Sequence, residues 1–530
     1  MRKLIVLFVL VVAAVLILSA CASPTPQIVP QTVVVNQTVA VPVPQTVVVN
    51  QTVAVPVPQT VVSQQTVVVP QVITATPVPP TKVPTAVPTA TNPPPVVTTG
   101  EGCATGATKV SWFIGLGTGS QPDQVTTEKA WVDKYNKSQT AVCLTLNVVF
   151  NTGQNSYDAL RAMIAAGNPP DIVGPVGKAG RASFQGGWAD IAPLAQAAGY
   201  DLTKYDPAIL EFMKDEGVLV GIPFAMFPST ILYNKKLFDE AKLPYPPHKV
   251  GEQYQGKDWT IDTMSQLAMK LTVDSKGNDA TNAAFDTKNI KQFGFVQQWP
   301  SDYRSMAALF GGGIPFDPAT NKAVIPASYT AYGKWLYDAI WKYHFYPTAD
   351  YANSDLLAKG NEFSSGNVAM AYAHSWYTCC FDMAKMNWDM AIVPSYNGKI
   401  TAKMHGDTFA ILKGSKVQAA AFKALSAMVN DADLYAFYGG LPGTAAARPA
   451  FFATMNKSVG TNKIDWSVLE AMLAYPDVPN HEAWLPNYAK STDIMTTFLT
   501  NMRQNPSLNL DAEFQKLVID LNFSYSTAPK

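Results

Sequence analysis

Five cysteines occur in the chain, and their spacing sorts them by chemistry. Cys21 stands at the exit of an apolar run, Leu4–Leu18, that follows Arg2 and Lys3. Cys103 lies just before the strand-like run KVSWFI, and Cys143 opens another, CLTLNVVF; Cys379 and Cys380 are adjacent. None of these spacings suits a structural zinc site, which pairs thiols two to four residues apart. Disulfides are the chemistry on offer. Cys103 and Cys143 suit each other if their strands are parallel neighbours. Cys379 and Cys380 give either a vicinal disulfide or two thiols. Four cysteines allow three connectivities, and spacing does not choose among them. Catalytic signatures are scarce. Gly115-x-Gly117-x-Gly119 follows a strand, but Ser120 replaces the last glycine of a dinucleotide fingerprint. Neither G-x-S-x-G nor H-E-x-x-H occurs, and the five histidines are scattered. Asp274 and Asp279 in DSKGNDATN make a poor calcium loop, because Asp286 is too short for its last ligand, so a polar turn is expected. No catalytic centre, metal or cofactor is expected.

The N-terminus has the layout of a secretory signal peptide over residues 1–20, and its apolar run is shorter than the ~20 residues of a membrane span. Leu18-Ser19-Ala20-Cys21 resembles the lipobox of bacterial lipoproteins, which implies lipidation of Cys21 and an anchor at the extracellular face of the cell membrane. The remaining cysteines would then face an oxidising space. Residues 22–99 hold a single charge, Lys82, and PQTVVVNQTVAVPV occurs at 30–43 and again at 44–57. Recurrent proline disfavours helix and central strand, so residues 21–104 read as a low-complexity tether, whose reach if extended is on the order of 200 Å. Its valines nevertheless have strand-like composition.

About 430 residues remain, more than one core usually serves, so two lobes are expected. The formal net charge is zero and no basic stripe appears, which argues against nucleic acid as a partner. The abundance of Trp and Tyr in loop-like contexts suits neutral polar ligands such as sugars. Strand-like runs at KVSWFI, CLTLNVVF and DIVGP alternate with amphipathic helices, the pattern of an α/β fold with helices on both faces of a mostly parallel sheet. The chain reads as leaving a first lobe near Asn234, building a second, and returning near residue 400. This gives lobe 1 as residues 105–234 and 400–455, and lobe 2 as residues 235–399 with part of the C-terminal helices. Crossing strands of this kind make a hinge.

GNPPDIV, DEGVLVGIPF, ILYNKKLFDEAKLPYPP, FSSGNVAMAYAHSW and GDTFAILKGSKVQAAAFKALSAMV resemble, in order and spacing, the extracellular solute-binding proteins of ABC sugar importers. The resemblance covers residues 105 to 525. It implies a two-lobe fold with a central cleft, a carbohydrate ligand, permease subunits in the membrane as partners, and a monomer. By the same resemblance, Trp112 and the 115–121 loop form the first cleft loop, Asp171 lies at the cleft edge, Tyr233-Asn234 leads into the hinge, and Trp376 stacks on a sugar ring. Asp407 stands where the family often has glycine, and the Cys379-Cys380 pair is no general family feature.

A sugar offers apolar C–H faces, which aromatic rings cover, and a rim of hydroxyls, which polar side chains read. A mismatched buried polar group costs ~1–3 kcal/mol. Trp299 and Trp376 are the aromatic candidates; Gln121, Asp171, Asp302, Asp407 and Arg448 are the polar ones. For each of these, packing, capping or a turn is the alternative role, and Trp335 and Trp341 on an amphipathic helix are assigned to packing. A tethered glycoside hydrolase, which needs two facing carboxylates, and a surface glycan-adhesion protein are the alternative functions.

Overall fold

A computed structural model describes residues 46–52, 62–68, 96–99, 101–119, 122–149, 154–299, 302–438 and 440–528. The expected signal peptide over residues 1–20, Cys21 and Gln121 lie outside them. The chain divides into two compact units, Met1–Thr89 and Ala90–Lys530. In the first, Thr46–Thr52 and Val62–Val68 pair antiparallel, so these valine-rich segments form strand. Among the described residues no helix is long and apolar enough to cross a membrane.

The second unit is built on one long mixed sheet. Its first strand, β1 (Val96–Thr99), lies within the stretch read as tether; it pairs antiparallel with β3, so the sheet begins before residue 104. Then come β2 (Thr108–Ile114), α1 (Pro122–Ser138), β3 (Val142–Val149), α2 (Gln154–Ala165), β4 (Ile172–Val176) and the short α3 (Lys178–Ala182). β2 is parallel to both β3 and β4. Alternation decides its side chains: Val110, Trp112 and Ile114 enter one core, while Phe113 enters another on the opposite face. Cys103 is joined to Cys143, at the start of β3.

β5 (Ala225–Asn234) has every residue buried. It is followed by α4 (Lys235–Ala241), α5 (Ile261–Lys270), β6 (Ile290–Gln297), α6 (Ala327–Trp341), β7 (Val368–His374), β8 (Trp388–Ala391) and β9 (Met404–Ile411). Two strands carry the chain between lobes. Along β5, Ala225–Pro228 pair with β9, whereas Ser229–Tyr233 pair with β7. Pro228, which has no N–H to give a ladder, sits at this change of partner. Along β9, Met404–Asp407 pair with β5, whereas Thr408–Ile411 pair with β4. The two changes of partner lie at opposite ends of the four-pair ladder between β5 and β9, so a few residues join the two halves. A third link is β10 (Leu441–Pro442), which pairs with the start of β5 and follows α7 (Gln418–Met428). Beyond it, α8 (Arg448–Ser458), α9 (Tyr488–Gln504) and α10 (Leu510–Ser526) complete the chain, and α9 and α10 pack on α6 in the second lobe.

Asn234 is therefore not the crossing point. It ends β5 and caps α4, its Oδ1 accepting from Lys236 N at 3.1 Å, while its Nδ2 donates to Gly366 O at 3.3 Å. Asp274 closes a polar turn, accepting from Lys276 N and Asn278 N at 2.8 and 2.9 Å.

Candidate functional site

Where the two strands change partner, a cavity of about 590 Å³ opens between the lobes, within the range of small-molecule sites. Its floor is the crossing itself: Phe227 of β5, and His405 and Asp407 of β9. The first lobe contributes Leu116, Gly117 and Thr118 of the loop after β2, with Tyr157, Gly177 and Tyr438. That glycine-rich loop is shaped by close approach, not by a phosphate. A Cβ on Gly117 would lie 2.5 Å from Pro175 O, and one on Gly119 (φ +94°) would strike Glu128 Oε1.

The second lobe contributes an aromatic face. The Trp376 ring stacks with His374 (centroids 5.7 Å apart) and with Trp299 (6.2 Å, planes inclined 22°). Trp299 adopts a left-handed backbone (φ 45°), held by its Nε1 donating to Gly360 O at 2.9 Å. It remains 40% exposed.

Polar groups gather beside this face. His374, His405 and His481 all line the cavity, with ring centroids of His374 5.9 Å from His405 and 5.8 Å from His481. They are distant in sequence and meet because β7 ends, β9 begins and the 477–482 loop returns at the same place. Buried Asp477 fixes that loop, accepting from Met404 N at 2.8 Å and from His481 Nδ1 at 2.7 Å. His374 Nδ1 faces Phe227 O at 3.0 Å and Ser229 Oγ at 3.2 Å. Burial, reinforced by Lys403 and the other two histidines, holds His374 well below the usual imidazole range, so it is neutral. His405 is the reverse case. Burial works against its charge, but Glu482 and Asp407 outweigh it and hold the imidazole well above its usual range. Its Nε2 is 3.3 Å from Asp407 Oδ1.

Three sequence candidates line this cavity: Trp299, Trp376 and Asp407. Five do not. Trp112 is fully buried, its Nε1 donating to Gly174 O at 2.7 Å and its ring set against Trp131 and Phe409, because strand alternation turns it into the core. Asp171 ties β2 to the chain after β9, accepting from Ser111 N at 2.8 Å and Ser415 Oγ at 2.6 Å. Tyr233 is buried with its hydroxyl 2.9 Å from His248 Nε2, at the far end of β5. Asp302 is buried as a helix cap, accepting from Ser305 N at 3.0 Å and Arg304 Nε at 2.8 Å. Arg448 braces a loop, its Nε donating to Pro442 O at 3.3 Å and its Nη1 to Glu470 at 3.4 Å. Cys379 and Cys380 are joined as a vicinal disulfide, with Cys379 on the cavity wall.

The family model of the bacterial extracellular solute-binding proteins matches residues 130–459, more than half of the chain. The chain belongs to that family. A curated relative of this solute-binding protein, the maltotriose-binding protein of Pyrococcus abyssi (strain GE5 / Orsay), is 26% identical over 239 residues, covering 44% of this chain and 43% of that protein. The chain thus spans less than half the length of that relative. Among solved structures, UspC of M. tuberculosis superposes with a TM-score of 0.61 at 17% identity, over 78% of this chain and 100% of that one. The sugar-binding protein MalE from Xanthomonas citri gives 0.60 at 16% identity, over 79% and 98%. At these identities the likeness is one of fold, and it is the two-lobe α/β fold expected from the sequence.

Proposed function

We propose that this solute-binding protein is the substrate-binding component of an ABC importer, and that it captures a carbohydrate, a di- or oligosaccharide, between its lobes. The observation that carries the reading is the meeting of two surfaces in one cavity: the His374–Trp376–Trp299 ladder, shaped for C–H faces, and the His405, His481, Asp407 and Glu482 rim, shaped for hydroxyls, which adjoins the ladder at His374. The names of the maltotriose-binding and sugar-binding relatives support the same class of ligand. Closure about the β5–β9 crossing follows if the ligand contacts both lobes at once, since it then stabilises the shut form over the open one. The capture involves no covalent step. Lipidation of Cys21 at the extracellular face, a tether ahead of the sheet, a monomeric state and permease subunits as partners complete the proposal.

A thermal-shift screen of the exported protein against maltose, maltotriose, maltotetraose and mannotriose, with chromatography of the recovered sugar, tests it. Stabilisation with the sugar recovered intact supports capture. Release of shorter sugars supports a hydrolase, and response to polymer alone supports an adhesin.

A further inference from the structure

A disulfide stabilises a fold chiefly by closing a long loop in the unfolded chain. Cys379 and Cys380 are neighbours, with Cα atoms 3.8 Å apart, so their bridge closes no such loop. Cys379 is moreover exposed and contributes little to the core. The use of this bond must be local. What it adjoins is the cavity: Cys379 and Thr378 line the wall next to Trp376. The turn Ser375–Cys380 is pinned along its length, Thr378 Oγ1 donating to Ser375 O at 2.9 Å and Asn361 Nδ2 to Cys380 O at 2.9 Å. Asn361 Oδ1 in turn accepts from the Tyr377 hydroxyl, whose ring lies edge-on to Trp299.

We propose that the Cys379–Cys380 disulfide is a built part of the ligand site: its sulfur face extends the apolar wall beside Trp376, and its closed ring fixes the turn that presents that indole, so that reduction disables binding. The proposal rests on the carbohydrate reading above. A divalent sulfur pair is polarisable and apolar, a fit surface for C–H groups. Tying the two side chains together also removes rotamer freedom that ligand binding would otherwise have to freeze out. A dithiol reductant reverses both effects. Its thiolate attacks one sulfur to form a mixed disulfide, its second thiol displaces the protein thiolate, and the reagent leaves as a cyclic disulfide. Cys379 and Cys380 take up two electrons and two protons as free thiols.

The test uses the full chain with Cys103→Ser and Cys143→Ser, so that only the vicinal pair responds, alongside Cys379→Ser/Cys380→Ser. Maltotriose binding is titrated before and after dithiothreitol. The expected result is at least tenfold weaker binding after reduction, the same loss in the Cys379→Ser/Cys380→Ser variant without reductant, and slower reduction when maltotriose is present. Unchanged affinity in both overturns the proposal. If the oxidised protein binds none of the carbohydrates, the carbohydrate reading fails, and acrylamide quenching of Trp376, taken as the difference from Trp376→Phe, decides the disulfide's role. A rise in quenching on reduction sustains it; no change overturns it.

Discussion

His405 Nδ1 lies 3.5 Å from Glu482 Oε2, and the same carboxylate oxygen accepts a hydrogen bond from Ala179 N at 3.3 Å. One carboxylate therefore touches the crossing strand and the backbone of the opposite lobe at once. Burial disfavours both charges, but their mutual attraction wins, holding the imidazole high and the carboxyl well below its usual range.

This pair sets a pH window. The contribution of His405 is complete below its unfolded-state pKa of about 6.5 and is lost as pH rises through its raised folded value. That of Glu482 is complete above about 4.3 and is lost as pH falls through its depressed one. The pair is intact across the neutral range. Glu482→Gln is expected to lower the His405 pKa in an NMR titration and to lower the melting temperature near pH 7 by several degrees. An unmoved His405 titration would contradict the pairing.

Trp299 is 40% exposed, makes one hydrogen bond to backbone and touches Trp376 and Tyr377, so under the proposed function its free surface serves the ligand. Trp299→Ala is expected to weaken carbohydrate binding roughly tenfold, about 1.4 kcal/mol, with the melting temperature nearly unchanged. A large fall in melting temperature with affinity intact would reassign it to packing.

How much of this could be read in the sequence varied with how local the cause was. Trp299 and Trp376 lie in polar turns just after strands, and that context is visible in QQWPSDY and HSWYTCC. Trp112 was misplaced because a strand residue faces one side or the other by register, and only the sheet says which side is core. Asp171 and Arg448 hold loops whose partners Ser415 and Glu470 are distant in sequence, whereas Asp302 caps the helical turn that follows it, a local role that its sequence context also allowed. The histidine cluster left no local signal either, since His374, His405 and His481 meet only because the end of β7, the start of β9 and the 477–482 loop come to one place. The crossing itself left one local trace, Pro228 within the strand run AMFPSTILYN.

Glu128 is buried behind the cavity loop, with Tyr438 Oη donating to its Oε1 at 2.8 Å. Burial raises its pKa to about 8, the hydrogen bond pulling weakly the other way. A folded-state pKa above the unfolded one means that the native state keeps the proton longer. Stability then declines as pH rises from about 4.5 to about 8, and the penalty is complete above that. Glu128→Gln is expected to flatten this slope and to melt higher than the parent at pH 9. Parallel pH profiles for the two would contradict the account.

The Cys103–Cys143 bond joins residues 40 apart, a span for which loop closure contributes about 4 kcal/mol. Cys103→Ser/Cys143→Ser is expected to lower the melting temperature by several degrees while leaving carbohydrate affinity within twofold. Loss of binding without loss of stability would be the contrary outcome.

The central claim, a carbohydrate held against Trp376 between the two lobes, is tested most directly by calorimetric titration of the full chain and of Trp376→Ala with the same maltooligosaccharides. The account expects saturable binding by the parent, with a Kd of about 10 μM or tighter, and a loss of at least tenfold in the variant. An absence of heat from every sugar at millimolar concentration, or a variant whose titration overlays the parent's, would contradict it.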